Sequence, residues 1–277
     1  MILNCDCFEY LKQIESNSID VIYSDILYGT GRRFSDYQDL KPIKFEIEEH
    51  YIPRIKEMYR ILKDTGTIYL QMDTKINHWI RCIMDDIFGY DNMRNEIIWY
   101  YNTAPRKKLD FGKRHDIILR YTKTDNYKFN PPREPYSETA PRGYEKEKYY
   151  HPEGKVLGDV WQMNILGQND KKERVGYDTQ KPLSLVERII KSSSDEGDLI
   201  GDFYLGSGNY AALATSAGAF SVEVTIFSNP TNQILVTDGG QIVLTSLQIT
   251  FFISASAWCR SATIFLVLYM SNQKWCE

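Results

Sequence analysis

Two apolar runs that each carry an acid into a turn, about 175 residues apart, constrain the fold of this chain more than any other feature. Ile19–Ser24 empties into Asp25-Ile26-Leu27-Tyr28, and Leu199–Tyr204 carries Asp202 into Leu205-Gly206-Ser207-Gly208. Short apolar runs bounded by turns read as strands buried on both faces, and such strands belong to sheets covered by helices. The sequence between them supplies those helices. Tyr51, Ile52, Ile55, Met58, Tyr59 and Leu62 recur at helical spacing and predict a helix over about residues 48–63, stopped by Lys63-Asp64-Thr65-Gly66. Thr67–Gln71 then reads as a strand, residues 76–88 as a helix, and Glu96–Tyr100 and Ile117–Tyr121 as further strands. Pro182 suits a helix first turn and is followed by Leu185, Val186, Ile189 and Ile190 on one face. Strands alternating with helices predict an α/β sheet in one large domain.

Two regions break this rhythm. Residues 127–175 hold Pro131, Pro132, Pro135, Pro141 and Pro152 among tyrosines and mixed charge, the composition of an irregular insertion that presents side chains to a partner. Residues 225–277 contain only four charged residues, Asp238, Arg260, Lys274 and Glu277. The uncharged run Gln241–Cys259 is long enough to raise a membrane helix, but its Gln, Thr and Ser content argues for buried strands, or for sequence not selected to fold here. The expectation is no membrane partner.

The formal net charge of −4 makes no global case for nucleic acid. Local charge does: Arg106, Lys107, Lys108, Lys113 and Arg114 lie within nine residues, beside Tyr100, Tyr101 and Phe111, and phosphate contacts need a basic face rather than a basic protein. Five scattered cysteines without metal spacing predict a reducing, cytoplasmic setting and no metal site.

Asp25, the carbonyl of Ile26 and the ring of Tyr28 offer, within four residues, two acceptors for an amine and a surface to hold a planar ring face-on. A base amine is a poor nucleophile because its lone pair is delocalised, and acceptors at its hydrogens make it more tetrahedral as it attacks. Such a base lies inside a duplex and has to be flipped out to reach the acid. At the second motif, glycines let backbone approach a ligand at the carboxyl end of a strand, where open α/β sheets bind nucleotides. Glu223, at the end of a strand read over Phe220–Val224, stands where a ribose hydroxyl would find an acceptor.

In that order the motifs resemble the β-class of amino-directed DNA methyltransferases, many of them adenine-specific restriction–modification enzymes. The resemblance covers about residues 1–224 and includes Asn4-Cys5-Asp6-Cys7, Leu62–Leu70, Asn95-Glu96-Ile97-Ile98-Trp99, His115-Asp116-Ile117-Ile118-Leu119, Asp159-Val160-Trp161 and Thr179-Gln180-Lys181-Pro182. It implies a Rossmann-like, S-adenosylmethionine-dependent sheet with helices on both faces. Residues 1–126 would form the catalytic half, 127–175 the target-recognition insertion and 176–224 the cofactor-binding half, with 225–277 an atypical apolar tail.

By the same resemblance, Asp25, Ile26 and Tyr28 are catalytic and methylate the N6 amine of adenine in double-stranded DNA. Asp6 meets the adenine amine of S-adenosylmethionine, Glu223 its ribose, and Asp202, Tyr204, Gly206 and Gly208 its methionine end, with Lys181 and Pro182 closing that side. A cognate restriction endonuclease and a homodimer are the further partners implied. The family has prolines where this chain has Ile26, Leu27 and Phe203, phenylalanine at Tyr204, and threonines at Asn209 and Tyr210. An impaired homologue that binds DNA without turnover, an N4-cytosine enzyme, and methylation of RNA or protein therefore stay open. A nicotinamide-dependent reductase would need a third glycine where Ala211 stands.

Overall fold

In the computed structural model the described residues are 6–34, 37–103, 109–136, 151–167, 170, 173–174, 177, 179–204 and 206, with backbone alone for 2–4, 221–226, 234–238 and 241–245. The first half runs β1 (Ile2–Asn4), α1 (Cys7–Leu11), β2 (Ile19–Asp25), α2 (Lys44–Ile61), β3 (Leu62–Met72), α3 (Asn77–Phe88), β4 (Met93–Tyr100) and β5 (His115–Thr122). Then follow β6 (Arg133–Glu134), β7 (Lys155–Val156), β8 (Val160–Gln162), α4 (Leu183–Ser193), β9 (Leu199–Asp202), β10 (Ser221–Ile226), β11 (Ile234–Asp238) and β12 (Gln241–Thr245).

Eight of these strands form one sheet in the order β1-β10-β9-β2-β3-β5-β4-β8. The first five are parallel, β5 and β4 turn antiparallel, and β8 lies parallel to β4 at the edge. Alternation along the strands divides the core in two. Ile19 and Ile22 of β2, Ile68, Leu70 and Met72 of β3, and Ile117, Leu119 and Tyr121 of β5 face the helices α1, α2 and α3. Val21, Tyr23, Tyr69, Ile97, Trp99 and Ile118 face α4, which meets them with Leu185, Val186, Ile189 and Ile190. An α/β sheet with helices on both faces is thus the observed fold, as expected. β2 is where the connections diverge, towards β3 on one side and β9 on the other, and that switch point opens a crevice at the carboxyl ends of the strands.

The boundary between α2 and β3 differs from the expectation. The helix begins earlier, at Lys44, and passes into β3 at Leu62 without a loop, so Lys63-Asp64-Thr65-Gly66 lies inside the strand. Leu62 is already extended and pairs with Ile19, while the amides of Asn17 and Ser18 donate to the last helical carbonyls of Arg60 and Ile61 at 3.0 and 2.8 Å. Gly66 is needed because a β-carbon there would come within 2.7 Å of the Leu62 side chain.

Within 127–175, part of the sequence belongs to the sheet: β8 pairs with β4, and Trp161 is buried against α4. Asn130 and Lys128 tie its start to α4 and the turn after it, through the Ser192 carbonyl at 2.7 Å and Asp195 at 3.0 Å. In the tail, β11 and β12 pair antiparallel as a separate ribbon; their side chains, and with them the expected burial, lie outside the described residues. Among the described residues no helix is long and apolar enough to cross a membrane.

Candidate active site

Because β2 and β9 are adjacent and parallel, with Val21 beside Ile200 and Ile22 beside Gly201, the two acid-bearing motifs end at the same edge of the sheet. The Phe203 amide donates to Ser24 Oγ at 3.2 Å across that junction. The Ile26 amide donates in turn to the Gln71 carbonyl on β3 at 3.1 Å. Proline could make neither bond. The substitutions at these two positions therefore add a stitch on each side of β2 rather than loosen its end. Leu27 contributes its carbonyl, which accepts from the Tyr51 hydroxyl at 2.9 Å.

Around Asp25 the side chains converge. One carboxylate oxygen pairs with Lys181 Nζ; the other lies 2.8 Å from the Tyr28 hydroxyl, and Lys181 also sits 5.2 Å from the centre of the Tyr28 ring. The same hydroxyl is 2.9 Å from Asp116 Oδ2, and Gln71 Nε2 donates to it at 3.2 Å. Gln71 is oriented by Tyr23, whose hydroxyl donates to Oε1 at 2.8 Å, and Tyr101 donates to Asp116 Oδ1 at 3.2 Å. Burial, opposed by Lys181 and the Tyr28 and Tyr101 hydroxyls and aided by nearby Asp25, leaves the Asp116 carboxyl raised to about 6. Burial likewise holds the Tyr28 phenol far above its ordinary value, so it stays neutral.

On the β9 side Asp202 is 2% exposed, and its carboxylate accepts from the Tyr204 amide at 2.9 Å, which closes the turn. Burial pushes its carboxyl up to about 8; the Tyr204 amide, Ser24 and Lys181 pull the other way and Asp25 adds to the rise. Gly206 has φ +54° with Tyr177 3.3 Å from where a β-carbon would stand, so this turn accepts glycine far better than any other residue. The Tyr204 hydroxyl is 3.0 Å from His50 on α2, and burial lowers that imidazole to about 4. Pro182 caps α4, whose first free amide, Leu183, donates to Glu173. Asp6 caps α1 through the Phe8 amide at 2.8 Å and pairs with Arg54 at 3.1 Å.

Lys181 is thus brought to Asp25, between the two motifs. Glu223 lies in β10 beside Gly201, with the strand continuing to Ile226 rather than ending near Val224; its side chain lies outside the described residues, as do Gly208, Arg106, Lys107 and Lys108. Of the basic loop, Lys113 is exposed and Arg114 donates to Asn102 at 3.3 Å, next to the fully exposed Leu109 and Phe111. Sequence reasoning gave no role to Asp116, Gln71 or Glu173, and read Tyr101 only as an aromatic beside the basic loop. The one available signal was an acid opening the apolar run of His115-Asp116-Ile117-Ile118-Leu119.

Comparison with known proteins agrees with this geometry. The sequence profile described as DNA methylase matches residues 19–226. Type II methyltransferase M.HpaI of Haemophilus parainfluenzae is 34% identical over 204 residues, which are 72% of this chain and 61% of that protein. DNA adenine methyltransferase YhdJ of Escherichia coli (strain K12) is 29% identical over 238 residues, 82% of this chain and 78% of YhdJ. The chain spans a little over 60% of the length of the first two relatives, M.HpaI and M.BglII of Bacillus subtilis. Among solved structures, the cytosine-N4-specific PvuII DNA methyltransferase shares the fold with a TM-score of 0.61 at 14% identity, over 83% of this chain and 82% of that one. The M1.HpyAVI–SAM complex gives 0.53 at 16%, over 83% of this chain and 94% of that one. With the profile matched along three quarters of its length and the two acid motifs side by side at the sheet switch point, this chain belongs to the DNA methylase family.

Proposed function

We propose that this chain methylates the exocyclic N6 amine of an adenine flipped out of double-stranded DNA, using S-adenosylmethionine. The observation that carries this reading is the placement of Asp25 and Asp202 at the ends of adjacent parallel strands, one with an aromatic partner and one in a glycine turn. When bound, the cofactor supplies an electrophilic methyl group on a sulfonium. Its charge suits the site: a fully buried carboxyl raised to about 8 is one that a cationic ligand would ionise. In this reading Asp202, Tyr204, Gly206 and Gly208 hold the methionine end, Asp6 the adenine amine and Glu223 the ribose, while Lys181 and Pro182 close the pocket. Asp25 and the Ile26 carbonyl accept from the target amine as Tyr28 holds the base.

Adenine rather than cytosine is supported by the acid at the first catalytic position and by the named activity of the YhdJ relative. The loop with Arg106, Lys107, Lys108, Lys113 and Arg114 would grip phosphates, and residues 127–175 would read the target. A cognate restriction endonuclease and self-association through residues 1–126 belong to the same reading. Calorimetric titration of S-adenosylmethionine, followed by transfer of labelled methyl to duplexes holding either adenine or cytosine as the only acceptor base, tests it. Label on adenine is the expected result; label on cytosine alone would move the assignment to the N4 amine.

Asp202 also gives the binding step a pH dependence. Its carboxyl is raised in the fold, so the free protein loses stability as pH rises from the ordinary carboxylate range through about 8. A cation that favours the ionised form binds more tightly across that same interval and releases close to one proton. Titration near pH 7 in two buffers of different ionisation enthalpy counts that proton, and Asp202→Asn is expected to abolish it. Identical heats in both buffers would remove Asp202 from the binding equilibrium.

A further inference from the structure

The Tyr28 hydroxyl carries one hydrogen and faces two carboxyl groups, Asp25 Oδ1 at 2.8 Å and Asp116 Oδ2 at 2.9 Å. Its remaining capacity is taken by Gln71 Nε2, which donates to it at 3.2 Å and is held in that orientation by the Tyr23 hydroxyl. With both carboxyls ionised, only one can accept from Tyr28, and the other presents a lone pair to a lone pair. Both contacts are satisfied at once only when the pair holds one extra proton. The site is therefore built to hold a proton that a resting, fully ionised pair lacks, and methylation of an amine releases one.

We propose that Asp116 is the terminal acceptor of the proton lost by the target amine, reached from Asp25 through the Tyr28 hydroxyl. This rests on the reading that Asp25 receives the amine. The amine nitrogen bonds the methyl carbon with its lone pair, and the carbon–sulfur pair stays on sulfur. The N–H proton passes to Asp25 Oδ1 and leaves its electron pair on nitrogen. Asp25 then donates to Tyr28 Oη as Tyr28 gives its own hydrogen to Asp116 Oδ2, so the phenol is never left charged. Asp116 is the positioning and storage group of this chain of bonds; it touches neither base nor cofactor. Asp25 is held in an ion pair by Lys181, whereas Asp116 is 6% exposed and, among the described residues, has no ion-pair partner. The groups around Asp116 are Tyr28, Gln71, Tyr101 and, further off, Asp25 and Lys181, with Asp73 acting on Tyr101. Its carboxyl, raised to about 6, accepts readily near neutral pH and returns the proton by the same route once product leaves.

The test is single-turnover methyl transfer by the full chain on adenine-containing duplex, from pH 5 to 9, for the protein as it stands and for Asp116→Asn, Tyr101→Phe and Asp25→Asn. The amide of Asp116→Asn keeps an acceptor oxygen for only one of Tyr101 and Tyr28, turns an N–H donor towards the other, and takes no proton. It is expected to slow transfer by about tenfold to a hundredfold with DNA and cofactor affinities retained. The fall in rate below about pH 6 should also disappear. Tyr101→Phe removes a donor to Asp116 and should move that fall to higher pH, which a merely structural role would not produce. An unchanged rate and acid limb in Asp116→Asn overturns the relay while leaving the activity in place. No transfer by the unsubstituted protein, or full transfer by Asp25→Asn, overturns the reading beneath it and the relay with it.

Discussion

Asp25→Asn is expected to lower methyl transfer by about a thousandfold while leaving the fold and cofactor affinity intact. The estimate comes from the range typical of a positioned acid or base, about 10² to 10⁴. Several features place Asp25 towards the upper part of that range. One of its oxygens is held in an ion pair with Lys181, and the other meets the Tyr28 hydroxyl. The amide replacement preserves size but substitutes a donor for an acceptor at one end, so it meets either the Lys181 ammonium or the target amine with the wrong polarity. The informative quantity is the single-turnover rate at saturating DNA, because product release often limits kcat. A rate within a factor of three of the original would remove Asp25 from the chemistry and reassign the site to binding alone.

The second large effect is structural. Trp99→Ala is expected to cost about 3–5 kcal/mol, the range for truncating a buried large aromatic, and to lower the melting temperature by about 10 °C. Trp99 is 1% exposed, lies in register with Trp161 of β8 and Asp116 of β5, and packs edge-on against Tyr101 at 5.2 Å. Its indole N–H donates to the Met163 carbonyl at 2.8 Å and so fastens the edge strand. Trp99→Phe separates the two contributions: it keeps most of the ring and should lose about 1 kcal/mol for the missing bond. Melting of the alanine variant within two degrees of the original would show that β8 and its surroundings collapse into the space without penalty.

Much of the architecture was legible because the information is local. Apolar spacing in β2, α2, α3 and α4 marks those elements, and the acid and glycine turns mark where strands end. The sheet's direction is not local, and that hid Asp116. β5 runs antiparallel to β3, with Ile117 opposite Met72, so its first residues share the edge where the parallel strands finish. An acid at the start of a strand therefore meets acids at the ends of others, and no periodicity announces it. The α2–β3 junction was misjudged for a related reason. Lys63-Asp64-Thr65-Gly66 has the composition of a turn, but pairing of Leu62 with Ile19 extends the backbone before those residues arrive. Glu173 was invisible because its target, the Leu183 amide, is ten residues away across a proline.

The amides of Ile26 and Phe203 have a practical consequence. Both stand where the family places proline, which has no exchangeable backbone hydrogen, and both are buried and bonded across β2. The chain thus carries two natural isotope-exchange probes, one on each wall of the crevice. Under the proposed assignment, deuterium uptake at Phe203 would report on the cofactor side and at Ile26 on the base side. Following each through addition of cofactor and of DNA would show how each wall responds separately, a view that a proline at either position would erase.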